Sequence, residues 1–334
     1  MGEMRNRVVV ITGASSGFGR GAALKFAENG AKVVLAGRRK RLLKQLAAEC
    51  RGMGADSLVV ETDVSSSSDV EELAERAIEK FGKIDVWVNN AGVGSVARFD
   101  ETPLEEHEQV IQTNLMGTIY GSYAALQQFR KQDRGVLINV GSFAGKVAAP
   151  YLSSYSASKF GIRGLGMALR QEMDANGEYN IHICTVMPVS MDTPFFDHAA
   201  NHTGKPVQPI PPVYDPQKVV EVIYELALDP EDEVVVGASG KVGSLGERVA
   251  PKLTEKMMGW RTHKSQMKQK KSAPDQSGSL FKPMSSGTGL YSDEEEEGGG
   301  NLAKILGLAV PIGVGAVYLA LQRARSRRDS ERAA

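Results

Sequence analysis

The sequence predicts an α/β protein built on a doubly wound parallel sheet. Three observations carry the prediction. Short β-branched runs alternate with longer helical ones between residues 7 and 237. The first run passes at once into a glycine-rich turn and then a helix. The polar residues suited to chemistry fall at the carboxyl ends of the strands, where open parallel sheets bind their ligands.

Residues 7–11 (Arg-Val-Val-Val-Ile) have the apolar, β-branched character of a strand buried on both faces. Thr12-Gly13-Ala14-Ser15-Ser16-Gly17-Phe18-Gly19 follows, then a helix over 20–29 that ends at Gly30. Strand, glycine turn and helix make a mononucleotide-binding start: the backbone can approach a pyrophosphate and the helix N-terminus attracts it. A tight turn without a ligand is the plainer reading of such a turn alone. Residues 31–36 form the second strand, and Gly37-Arg38-Arg39-Lys40-Arg41 stands at its end. An acid there would bond the ribose 2′-hydroxyl of NAD, whereas arginine accommodates the 2′-phosphate of NADP. Arg38 is assigned to that phosphate; Arg39, Lys40 and Arg41 are read as the solvated start of the next helix.

A third strand over 57–61 ends in Thr62-Asp63-Val64, and Ser68-Asp69-Val70-Glu71 fits a capping box opening a helix to Lys80. A fourth strand over 83–88 is closed by Asn89-Asn90-Ala91-Gly92. Thr102-Pro103-Leu104-Glu105 starts a long helix whose interior contains Asn114, a mediocre helix former that needs a reason to be there. The fifth strand, 135–140, ends in Gly141-Ser142-Phe143-Ala144-Gly145, and the sixth, 181–187, ends at Pro188. Each crossover is expected to be right-handed.

Tyr155-Ser156-Ala157-Ser158-Lys159 lies at the start of a helix over 153–174. Residues four apart share a helix face, so the Tyr155 hydroxyl and the Lys159 ammonium can share a pocket. A phenol titrates near pH ~10, and a neighbouring cation lowers that value. Alone, this spacing is common and carries little.

The 334 residues are 42% hydrophobic and 24% charged, enough for a real core. The formal net charge is zero, so no global field favours nucleic acid. Cys50 and Cys184 stand far apart without metal-ligand spacing and read as reduced packing residues of a cytoplasmic protein. No apolar signal segment precedes the first strand.

Together the motifs resemble the short-chain dehydrogenase/reductase family, in its single-domain branch with Thr-Gly-x3-Gly-x-Gly and Tyr-x3-Lys. The match spans about residues 5–240. It rests on the turn from Thr12 to Gly19, on Asp63, Asn89-Asn90-Ala91-Gly92, Asn114, Ser142, Tyr155 with Lys159, and Pro188 through Thr193. The resemblance implies a Rossmann fold and hydride transfer between NADP(H), in preference to NAD(H), and a small carbonyl or alcohol. In that reading Tyr155 is the acid or base, Lys159 lowers its pKa and holds the nicotinamide ribose, Ser142 bonds the substrate oxygen, and Asn114 holds a water linking Lys159 to solvent. Gly13, Ser15, Ser16, Gly17, Phe18 and Gly19 shape the pyrophosphate loop. Asp63 and Val64 meet adenine, Asn90, Ala91 and Gly92 support the adenosine side, and Pro188 and Thr193 complete the cofactor set. No metal is called for. Family members often pair through the helices bearing Asn114 and Tyr155, which implies a homodimer or homotetramer.

One departure stands out. The family commonly has Pro-Gly after the sixth strand, and this chain has Pro188-Val189. A valine there is expected to shift the nicotinamide or narrow the pocket. Residues 193–216 are expected to be a substrate lid, partly apolar through Phe195 and Phe196, with His198 and His202 as solvated loop residues.

Residues 233–237 make a last strand and 245–260 an amphipathic helix, with the catalytic domain ending near 262. Residues 263–300 are polar, then acidic, and are expected to be a disordered linker. Residues 302–321 are apolar save Lys304, long enough to cross a bilayer, and precede a basic tail over 323–334. Membrane attachment is expected, its orientation open: the positive-inside rule and the cytosolic NADP pool point opposite ways. The alternatives are a helix docking on a partner or an interfacial anchor. The functional expectation is an NADP(H)-dependent oxidoreductase. The alternative is a non-catalytic nucleotide-binding sensor or membrane-associated scaffold.

Overall fold

We describe the protein from a computed structural model, which covers residues 3–292. The expected parallel sheet is present, with seven strands in the order β3-β2-β1-β4-β6-β7-β9. These are β1 (Val8–Thr12), β2 (Lys32–Gly37), β3 (Ser57–Glu61), β4 (Val86–Asn89), β6 (Gly135–Val140), β7 (Ile181–Pro188) and β9 (Glu233–Val236). Every pairing is parallel, with Ile11 beside Leu35 on one side and Val88 on the other. The chain reverses its winding between β1 and β4, and the carboxyl ends of those two strands open the cleft.

Side-chain alternation explains why the strands are apolar throughout. Val8 and Val10 join one buried cluster, with Leu73, Trp87 and Phe129, while Val9 and Ile11 join the other, with Phe26, Leu43 and Ile223. A strand covered on both faces has no polar side to show. The helices supplying the cover include α1 (Gly17–Glu28), α2 (Lys40–Gly52), α3 (Ser67–Phe81), α5 (Gly117–Gln132), α6 (Ser153–Asn176) and α8 (Gln217–Leu226). The capping box of α3 sits two residues earlier than expected, where Ser66 Oγ accepts from Asp69 N at 3.3 Å.

The helix expected through Asn114 is not continuous. α4 (Leu104–Ile111) passes into a π-helical stretch, Gln112–Met116, before α5. The lid carries α7 (Phe195–His198) and a short strand, β8 (Ala200–Asn201), paired in parallel with β5 (Ser95–Val96). Two-residue strands leave no periodic signal, so the sequence does not reveal this second sheet. The amphipathic stretch near the end is two helices, α9 (Ala238–Val249) and α10 (Pro251–Met267), because Pro251 cannot continue a helix but can start one.

The linker expected from residue 263 is corrected as far as residue 292. Residues 263–267 finish α10, and residues 276–292 run back past the carboxyl ends of the strands, hydrogen-bonded to Gly17, Arg38, Arg39 and the lid. Its polar composition concealed this, because the contacts are made largely by backbone carbonyls. Among the described residues no helix is long and apolar enough to cross a membrane. Residues 302–321, the sequence candidate for a membrane anchor, lie outside the described residues.

Candidate active site

The site is assembled at the carboxyl ends of β1, β2, β4, β6 and β7. After β1 the chain enters α1 at Gly17, earlier than the sequence suggested, so the amides of the glycine turn belong to the first turn of a helix. Close approach decides the glycine at 19: a Cβ there would collide with Gly13 O and come 2.5 Å from Asn90 Nδ2. Asn90 fixes this loop, donating through Nδ2 to Thr12 O at 2.8 Å and Gly13 O at 3.3 Å. Thr12 Oγ1 accepts in return from Asn90 N and Ala91 N. The Asn89 side chain is structural. Buried, it accepts from Trp87 Nε1 and donates to Thr118 O, Ser122 Oγ and Asn139 Oδ1, tying β4 to α5 and β6.

Two arginines converge at the end of β2. Arg38 donates to Ser279 O at 2.5 Å and Leu280 O at 3.1 Å. Arg39 was read as the solvated start of α2, and the structure corrects this. Its guanidinium folds onto the glycine turn, bonding Ser15 Oγ at 3.0 Å and Ser16 Oγ at 2.6 Å, and reaches Met284 O, Ser286 O and Gly287 O. Burial, with Arg38 beside it, holds its pKa below the usual arginine value. The sequence hides this contact, because Ser15 and Ser16 lie 24 and 23 residues before Arg39 and only the fold brings them together. Asp63 turns its carboxylate to the backbone N and hydroxyl of Ser65, and Val64 is buried against Gly117.

Tyr155, Ser142, Lys159 and Asn114 lie together where the end of β6 meets the start of α6. The half-buried Tyr155 phenol shares a hydrogen bond with Ser142, whose Oγ also accepts from Ala144 N at 3.1 Å. Lys159 is 4% exposed and its Nζ donates to Val140 O at 2.9 Å, lying 5.6 Å from the Tyr155 ring centre. The lowering of the tyrosine pKa expected from that neighbour is not seen. Burial pushes Tyr155 up to about 12, with the Ser142 hydrogen bond pulling the other way. The same burial brings Lys159 down to about 8, so the cation is itself weakened.

Asn114 is fully buried within the π-helical stretch. Its amide clasps the backbone of Val93, accepting from Val93 N at 2.8 Å and donating to Val93 O at 2.9 Å, and also donates to Ser158 Oγ. A π-bulge recurs at functional sites because it re-aims side chains and frees a carbonyl. Here it holds the segment after Gly92 against α6. On the lid side, the ring of Phe195 lies 5.2 Å from that of Tyr155 and meets Phe196 edge-on.

Thr193 is buried at the start of the lid, and Pro188 ends β7. The expected intrusion of Val189 does not occur, because its two methyl groups point toward Gly237 and Gly240, whose missing side chains leave the room. His198 and His202 are not solvated loop residues either. His198 Nε2 meets Ser286 O at 3.0 Å, while His202 Nε2 meets the buried Glu106 carboxylate at 3.0 Å. Cys50 and Cys184 are buried free thiols whose pKa values burial raises, to about 11 and about 12.

A glycine turn opening a helix at a sheet's switch point, with Tyr, Lys, Ser and Asn gathered beside it, defines a dinucleotide-dependent oxidoreductase. The sequence profile of the short chain dehydrogenase family matches residues 7–203, and the chain belongs to that family. It is 32% identical over 298 residues to the uncharacterized oxidoreductase YxnA of Bacillus subtilis, covering 89% of this chain and 83% of that one. Estradiol 17-beta-dehydrogenase 11 of Mus musculus is 29% identical over 249 residues, covering 75% and 81%. A solved short chain dehydrogenase/reductase of Burkholderia phymatum, in complex with NAD, superposes with a TM-score of 0.67 at 25% identity, over 74% of this chain and 96% of that one. An alcohol dehydrogenase of the archaeon Thermococcus sibiricus, complexed with 5-hydroxy-NADP, gives 0.60 at 27% identity over 69% and 95%.

Proposed function

We propose that this oxidoreductase reduces a partly apolar carbonyl compound with NADPH, using Tyr155 as the proton donor. The observation that carries the reading is the gathering of Tyr155, Ser142, Lys159 and Asn114 at the carboxyl ends of the strands, with the Lys159 ammonium 5.6 Å from the Tyr155 ring centre. A phenol held at about 12 keeps its proton at every physiological pH, which suits giving it to a carbonyl oxygen. Ser142 bonds the same phenol and stands ready to bond the substrate oxygen beside it, stabilising charge that develops there. Lys159, at about 8, exchanges protons near neutrality and is suited to resupply Tyr155. Asn114 acts as a positioning residue, holding Val93 and Ser158 so that the tyrosine and lysine turns of α6 stay in place.

The donor set fits a dinucleotide. Gly17 N–H at the head of α1 favours an anion, and Arg38 and Arg39 offer two guanidinium groups where a 2′-phosphate would lie. Both solved relatives carry a bound nicotinamide nucleotide, one of each kind, and the arginine pair with no acid at the end of β2 favours NADP(H) over NAD(H). The bound nucleotide supplies the hydride. Phe195 over the Tyr155 ring, with Phe196 against it, favours an apolar group on the substrate.

The test is NADPH and NADH oxidation by the full-length chain against a panel of aldehydes, ketones and quinones. Turnover preferring NADPH supports the reading. Nucleotide binding without turnover of any carbonyl would move the sensor reading to the front.

A further inference from the structure

Residues 276–292 lie along the cleft and occupy the hydrogen-bonding groups assigned above to the dinucleotide. Gly289 O accepts from Gly17 N at 2.8 Å, at the head of α1. Ser279 O and Leu280 O occupy Arg38, and the carbonyls of Met284, Ser286 and Gly287 occupy Arg39. Leu280 is fully buried with Val93, Val110 and Ala200, in the cluster against which Tyr155 packs. The segment is also stitched to the lid. Gln276 pairs with Asn201 in both directions, Ser279 N donates to His198 O, Tyr291 bonds Asp215, and Ser292 bonds Asp192.

We propose that residues 276–292 form an internal strap that competes with the dinucleotide, so that the chain in this conformation is closed to NADP(H). The inference rests on the reductase reading of the cleft. Strap and nucleotide would use the same donors. The single hydrogen on Gly17 N cannot serve Gly289 O and a pyrophosphate oxygen together, and a guanidinium face filled by two carbonyls cannot also take a phosphate. Residues 276–292 contain no Asp or Glu, so the strap offers neutral carbonyls where the nucleotide offers charged oxygens. Charge-assisted hydrogen bonds are roughly twice as strong. The strap's advantage is its tether, which holds it near the cleft at an effective concentration of the order of millimolar, together with the buried Leu280. The outcome is a reversible block. The affinity for nucleotide is reduced by the fraction of chains with the strap out, and lid opening accompanies release because the two are bonded together.

The strap is evicted without touching the nucleotide site by Gly278→Val with Gly287→Val in the full-length chain. Both glycines have positive φ, and a Cβ at either would collide with His198. Exposed Lys282→Ala serves as the control. NADPH binding is titrated by nicotinamide fluorescence, and hydrogen exchange of residues 276–292 is followed in the wild type with and without NADPH. The inference expects the double variant to bind NADPH at least about tenfold more tightly than the wild type and the control, and NADPH to speed exchange in the wild-type strap. Equal affinities overturn the strap while leaving the reductase reading intact. Weaker binding by the variant, or slower strap exchange with NADPH, overturns it in favour of a lid that closes over bound nucleotide. Failure of all three proteins to bind either nucleotide overturns the reading of the cleft, and the strap inference with it.

Discussion

Lys159 provides a prediction whose size follows from the structure. Its ammonium is 4% exposed, with Val140 O as its hydrogen-bond partner, and burial brings its pKa from 10.5 to about 8. Between those values the unfolded chain holds a proton that the folded chain has released, so stability rises with pH through that window. The cost of burying the ammonium is fully present below pH 8 and gone above 10.5. It amounts to about 3 kcal/mol over the whole interval, since each pH unit is worth about 1.4 kcal/mol. Lys159→Met fills similar space without the titration, though it leaves Val140 O unpaired at every pH. The diagnostic quantity is therefore the pH dependence of the difference. Urea unfolding of wild type and variant at pH 7 and pH 10, in the full-length chain, should show the wild type gaining about 2–3 kcal/mol on the variant. A difference that stays constant across that range would refute the burial argument and return Lys159 to an ordinary solvated lysine.

Arg38→Asp should reverse nucleotide preference. Replacing the guanidinium by an acid repels a 2′-phosphate and can bond a 2′-hydroxyl, so the ratio of NADPH to NADH affinity should fall by about a hundredfold or more in parallel titrations; an unchanged ratio would show that Arg38 does not meet that phosphate. Asn114→Leu should cost about 2–4 kcal/mol, because it strands the N–H and the C=O of Val93 in a buried position, and thermal unfolding reads this directly. Val189→Ala should cost about 1 kcal/mol by emptying the space beside Gly237 and Gly240. The KM for bulky carbonyls should not change, which a kinetic comparison of large and small substrates would check.

The seven-strand sheet was legible because burial on both faces leaves an unbroken apolar signature, as in Val8 to Ile11. Tyr155 and Lys159 were legible as a spacing, Asn114 as a poor helix former inside a helix and Ser142 through the family resemblance, and the structure brings the four to one place. What was missed depends on distance in sequence. Arg39 looks like one of four cations until the fold sets Ser15 and Ser16 beside it, 24 and 23 residues away. Val189 looks intrusive until Gly237 and Gly240 are seen to receive it. The strap looked like a polar linker because its grip is backbone carbonyls on Arg38, Arg39 and Gly17, and a carbonyl is present at every residue. The tyrosine pKa was misjudged because the spacing reveals the cation but not the dehydration that weakens it.

The central claim is that Tyr155 gives its proton to a carbonyl in a nucleotide-dependent reduction. Its most direct test compares single-turnover reduction by wild type and Tyr155→Phe, with NADPH saturating and its binding measured in both. The account predicts a loss of about a thousandfold or more in rate with nucleotide affinity changed little, since the ring stays and only the donor is removed. A phenylalanine variant that reduces its substrate at the wild-type rate would contradict it.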